Sequence, residues 1–246
     1  MLAAWPGISN VAMIVATYLA KKLPFKDLAE IRAPYFFDPI GVLARDNVVE
    51  EPQFPQSRFY YWKNSGGGSD LILFLGENQP ASKSYEMANC VLDLGLKFKI
   101  KKVYTFAAAL TRIHHTEQPR VWTVGTSKAV ARELTRSGMT QGGGNLQISG
   151  LNGLLLGVAK ERDIDGICLL GEVPTYATRV HNPIAALAII NKLTKMLGIE
   201  IDTDELTHLA KETRERIKQV ATEAMEDYID YFTEPIWESG ENEERD

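Results

Sequence analysis

Apolar positions fall into short continuous runs separated by amphipathic stretches, and each texture predicts a different element. LAAWPG, at the start, reads as the end of a buried strand and a Pro-Gly turn, followed by a helix from about Ile8 to Lys22. This opening strand is abruptly short, with Met1 either inside a longer strand or at a late start. Leu71 to Leu75 is apolar without alternation, the pattern of a strand covered on both faces, and is expected to be a central parallel strand ended by Gly76 and Glu77. DGICLLGE, at 165–172, repeats that texture and again closes on Gly-Glu. KKVYTFAAAL and RVWTVGTS supply two further strands between helices expected at Ser82–Leu94, 128–136 and 151–162.

The helix after the second Gly-Glu strand is marked at both ends. Asn182 suits an N-cap, Pro183 the first helical position and Gly198 the C-terminal stop. A last helix begins after Asp202, with Asp202 and Glu205 as a variant capping box, and places Leu206, Leu209, Ile217, Val220, Ala224 and Ile229 near one face. Between the first helix and Leu71, prolines, aromatics and short β-like pieces (IGVLARDNVVE, SRFYYW) indicate a β-rich insertion or antiparallel extension, closed by Gly66, Gly67 and Gly68. The alternation predicts an α/β fold: a mostly parallel central sheet with helices on both faces, a β-rich insertion at about 24–69 and a long C-terminal helix at about 203–232. Residues 1–237 read as one domain, and the acidic segment 238–246 is expected to be disordered.

Composition agrees with this picture. The chain has 246 residues, 45% hydrophobic and 24% charged, enough to bury a large core. Of the formal charge of -5, residues 238–246 carry -4, so the folded body is near neutral. Nucleic acid is not an expected partner, because phosphate binding requires a dominant Lys/Arg surface. The densest basic run, Lys97, Lys99, Lys101 and Lys102, reads as a solvated helix end. Cys90 and Cys168 stand in apolar stretches with no second cysteine at metal-ligand spacing, which suits buried thiols in a reducing, cytoplasmic setting. The apolar stretch Val11–Ala20 is too short to span a bilayer, so no membrane association is expected.

Motifs of catalysis are sparse. Neither glycine run continues as a P-loop or as GxGxxG, and no cofactor is expected. His114 and His115 are adjacent, so on a helix or strand their rings would point apart; no metal site is expected there. Gly125-Thr126-Ser127-Lys128-Ala129 falls one glycine short of a nucleophile elbow, and Ser127 reads better as a helix N-cap. The feature left over is the echo of LFLGENQP and CLLGEVPTY. Ligands in open α/β sheets bind beyond the carboxyl ends of strands, so Glu77 and Glu172 would share one crevice, with Gly142, Gly143, Gly144 and Asn145 shaping a phosphate or sugar pocket. The competing reading has each glutamate accepting backbone N–H bonds from the turn that follows it.

The ordered segments AAWPGISNVA, LFLGENQPASKSYEMANCVLD, GLNGLLLGVAKERDIDGICLLGEVPTY and NPIAALAIINKLTKMLGIEID resemble the proteasome assembly chaperone family. The likeness runs from Met1 to about Leu206 and is densest between Gly150 and Asp202. It implies a fold similar to purine nucleoside phosphorylases without their chemistry, homo-oligomers, and protein partners that include proteasome subunits. Archaeal members that engage the proteasome carry a hydrophobic-Tyr-X tail. This sequence ends Glu244-Arg245-Asp246, and Tyr228 and Tyr231 lie inside the last helix, so docking by such a tail is not expected. The resemblance favours a non-catalytic, protein-binding role; the alternative is a phosphorylase- or nucleosidase-like enzyme, or a small-molecule binder, using the Glu77/Glu172 crevice.

Overall fold

The computed structural model describes residues 1–39, 41–142 and 145–233, and for 223–233 the course of the helix only. Gly143, Gly144 and the acidic segment 238–246 lie outside the described residues. The strands are β1 (Leu2–Ala4), β2 (Lys26–Glu30), β3 (Ala44–Arg45), β4 (Val48–Val49), β5 (Ser57–Trp62), β6 (Leu71–Gly76), β7 (Lys102–Thr111), β8 (Val121–Gly125), β9 (Thr140–Gln141) and β10 (Asp165–Pro174). The helices are α1 (Val11–Lys22), α2 (Ser84–Lys97), α3 (Lys128–Arg136), α4 (Leu151–Glu161), α5 (Pro183–Leu197) and α6 (Asp204–Thr233).

Among the described residues, eight strands form one sheet in the order β2-β5-β6-β1-β7-β10-β8-β9. Its centre, β6-β1-β7-β10, is parallel throughout, while β5, β2 and β8 join antiparallel. β6 is therefore parallel to one neighbour only: the antiparallel extension read at about 24–69 adds β5 and β2 beyond it. β3 and β4 form a separate hairpin.

Alternation along the strands sorts the core into two layers. Leu2, Leu73, Phe106, Ile167 and Leu169 face α1 and α5, with Val130 and Leu134 of α3 in the same cluster. Ala3, Trp5, Phe74 and Val103 face α2 and α4. Helices thus cover both faces of a mostly parallel sheet, and α6 lies outside α5. α5 is capped as its sequence predicts: Ala185 N donates to Asn182 Oδ1 at 2.9 Å, and Gly198 leaves the helix at φ +63.

The start of α6 differs from expectation. Asp202 Oδ1 accepts from Asp204 N at 2.8 Å, but Glu205 turns outward to Lys21 instead of closing a capping box. The buried stripe of α6 is Leu206, Ala210, Thr213 and Ile217, whereas Leu209 is exposed. A sequence stripe drawn through Leu209 is one position out of phase, because an alanine and a threonine supply part of the seat. Ala224 and Ile229 have no described side chains.

Candidate functional site

The Gly-Glu echo has two separate causes. At β6, a Cβ on Gly76 would run into the Trp5 indole on the α2/α4 side. At β10, a Cβ on Gly171 would lie 2.9 Å from both the Cβ and the carbonyl oxygen of Ala185, on the α1/α5 side. Each glycine permits a close approach, on opposite faces of the sheet. The glutamate after each follows the pleat, and the two carboxylates diverge.

Glu77 Oε2 accepts from Gln56 N at 2.8 Å while Glu77 N donates to Gln56 O at 2.9 Å, joining the start of β5 to the end of β6. Glu172 lies inside β10, which runs on to Pro174, and its side chain is buried. It accepts from Arg120 N at 2.8 Å, from the Arg120 guanidinium at 3.0 Å and from Trp122 Nε1 at 3.1 Å. The Arg120 guanidinium also stacks over the Trp122 ring, 4.7 Å from its centroid. Burial pushes the Glu172 carboxyl up, but the bonds from Arg120 and Trp122 outweigh it and hold the group below the usual carboxylate range. Both glutamates accept backbone N–H bonds, although from neighbouring segments and not from the turns that follow them.

The structure does not bring the two together. β1 and β7 lie between their strands, so three inter-strand steps separate them, about 14 Å. Gly142 follows β9, five strands away from β6 in the sheet order, and Asn145 is exposed beyond it. Ser127 caps α3, its Oγ accepting from Val130 N at 3.2 Å. Among the described residues no group of three or more His, Cys, Asp or Glu side chains is placed to hold a metal ion.

The position where an open α/β sheet takes a ligand, past the carboxyl end of β1, is filled by two amides that sequence reading passed over. Asn152 Oδ1 accepts from Trp5 N and Asn152 Nδ2 donates to Trp5 O, both at 3.0 Å. Gln79 Nε2 donates to Pro6 O at 2.6 Å, and Gln79 Oε1 accepts from Leu151 N at 2.8 Å. The loop after β1 is further tied down through Ser9, whose N–H and Oγ both bond Thr178 O. Asn152 could have been found: a lone amide in the apolar run LNGLLLG has to meet a partner once buried.

Against this closed crevice stands an open hairpin. Asp46 and Asn47, at φ 51 and 62, make the tight turn between β3 and β4. Val42, Leu43, Val48 and Val49 around it are 52–68% exposed. Four large aliphatic side chains on one small projection are a feature of interaction surfaces.

The family model described as PAC2 family matches residues 1–221. The chain belongs to the PAC2 family. Among solved PAC2-like structures, Pyrococcus furiosus PbaB, described as an archaeal proteasome activator, is 30% identical, with a TM-score of 0.75 over 89% of this chain and 92% of its own. The Mycobacterium tuberculosis proteasome-assembly chaperone homologue Rv2125 is 21% identical, with a TM-score of 0.74 over 89% of this chain and 93% of its own. A PAC2 family protein from Streptomyces avermitilis, also 21% identical, reaches 0.76 over 93% and 98%. These last two speak for the fold alone. In sequence, the uncharacterized protein MJ1210 of Methanocaldococcus jannaschii is 29% identical over 221 residues, covering 87% of this chain and 80% of its own. No helix among the described residues of this PAC2 protein is long and apolar enough to cross a membrane.

Proposed function

We propose that this PAC2 protein is a non-catalytic, protein-binding chain that works as an assembly-chaperone-like factor, with proteasome subunits as its partners and a homo-oligomer as its working form. The observation that carries the reading is the filled position past β1, where Gln79 and Asn152 spend their hydrogen bonds on the chain's own backbone. A site for turnover needs unspent groups that converge on a reacting atom. The exposed aliphatics of the β3–β4 hairpin supply a contact surface for a protein instead. PbaB, described as a proteasome activator, supports the choice of partner. The free thiols Cys90 and Cys168 suit a cytoplasmic location.

The test is capture from native lysate at near-physiological salt, with the full chain as bait and mass spectrometry as the readout. Proteasome subunits should be recovered with the native chain and lost with a V48S/V49S variant that keeps its fold by circular dichroism. A folded native bait that recovers no proteasome subunit would sink the proposal.

A further inference from the structure

Residues 114–117 form a turn, with Glu117 N donating to His114 O at 3.0 Å, so the two adjacent imidazoles come side by side with ring centroids 4.0 Å apart. The expectation that they point apart assumed a helix or strand. Each Nδ1 lies within hydrogen-bond distance of a hydroxyl, Thr116 for His114 and Tyr176 for His115. His114 Nδ1 lies 2.7 Å from Thr116 Oγ1 and 3.4 Å from the Thr116 N–H that points at it. Tyr176 Oη accepts the His115 N–H at 3.0 Å, which leaves its own proton for His115 Nδ1 at 3.1 Å. A histidine accepting at Nδ1 is neutral and carries its proton on Nε2.

This turn also holds the C-terminal helix. Arg214 Nη1 of α6 donates to Thr116 O at 2.8 Å, and the fully buried Ile217 lines one small cleft together with His114, His115 and Glu172. The groups around the rings cannot absorb two new positive charges. α6 presents Arg214, Glu215 and Lys218; the turn presents Glu117, which accepts the His114 N–H; β10 presents Glu172, already paired with Arg120; and Tyr176 faces His115. Two acids thus oppose two fixed cations and the second ring.

We propose that the 114–117 turn is a proton-operated latch on α6: with both imidazoles neutral it holds the helix at Thr116, and protonating the pair releases α6 beyond its first turns. The base of the helix stays attached through Leu206, Ala210 and the Lys21–Glu205 and Lys22–Asp202 pairs. Thr233 lies 16 residues past Ile217, about 24 Å along the axis, so loosening at the latch re-aims the far end. Consistent with the geometry, burial, followed by His114, Lys218 and Arg214, lowers the His115 pKa against the raising effect of Glu215. The latch does not depend on what the chain binds.

Hydrogen exchange of the full chain tests this at about pH 7.5 and about pH 5.5, with rates corrected for the intrinsic pH dependence. Protection of amides 213–222 should fall about tenfold or more at the lower pH while that of β10 stays unchanged. The variant H114N/H115N keeps an acceptor where each Nδ1 stood and cannot be protonated, so its protection should not change with pH. Equal protection of native α6 at both pH values would overturn the latch, as would the same loss in the variant. Independently of any variant, NMR titration must find His115 below the ordinary 6.5; titration at or above it would also overturn the proposal.

Discussion

Replacing Asn152 by leucine tests whether the end of β1 is a structural joint or a ligand site. The side chain is buried and meets Trp5 N and Trp5 O at 3.0 Å each, and Trp5 is itself buried. Leucine has nearly the same length but neither donor nor acceptor, so both Trp5 backbone groups lose their partner without access to water. Each unmet buried group costs about 1–3 kcal/mol, and the extra apolar burial of leucine returns about 1 kcal/mol. The net loss is then about 1–5 kcal/mol, a large part of the roughly 5–15 kcal/mol that holds a typical domain together. At about 2–4 °C per kcal/mol for a chain of this size, Tm should fall by about 2–20 °C. Urea denaturation followed by far-UV circular dichroism would give the free energy, and a calorimetric scan the Tm. A loss below about 0.5 kcal/mol, with the slope unchanged, would refute the reasoning, because the amide would then not be holding Trp5.

Other expectations follow from the same geometry. Gly171→Ala places a Cβ 2.9 Å from the α5 backbone at Ala185; it should destabilise by about 1–3 kcal/mol in the same urea assay despite the favourable loss of glycine entropy. Glu77→Ala removes only the bond to Gln56 N, an exposed one, and should cost less than about 1 kcal/mol. The Glu172 carboxyl is held below its ordinary 4.5 in the folded chain, so its contribution is complete above that value and is lost as pH falls through the folded pKa. The difference in urea midpoint between the native chain and Glu172→Gln should therefore shrink between about pH 5 and about pH 3, and a difference that stays constant would contradict the pairing.

How far the sequence could be read depended on whether a residue's partner lay nearby in the chain. The caps of α5 and α3 are local: Asn182 reaches Ala185, and Ser127 reaches Val130. The central strands were legible because burial on two faces leaves a continuous apolar run, as in Leu71–Leu75. What the pattern could not supply were partners set by the fold. Asn152 meets Trp5 across 147 positions, and Glu172 meets Arg120 across 52. Glu205 was free to leave its cap because folding brought Lys21 to it.

The Gly-Glu repeat shows how such blindness pairs two residues that the fold keeps apart. Two identical dipeptides after two apolar runs suggest a shared task, since strand ends in an open α/β sheet gather on one side. Yet the glycines answer different neighbours on different faces, Trp5 for Gly76 and Ala185 for Gly171. β10 also runs two residues past its Glu172, whereas β6 stops just before Glu77. A one-residue difference in phase turns a side chain to the other face of a sheet, and a dipeptide carries no record of phase. The echo thus reports that two strands are tightly packed. The same argument explains why the histidine pair was misjudged in the opposite direction: its rings meet because the turn, invisible as a pattern in two letters, replaces the alternation that would have parted them.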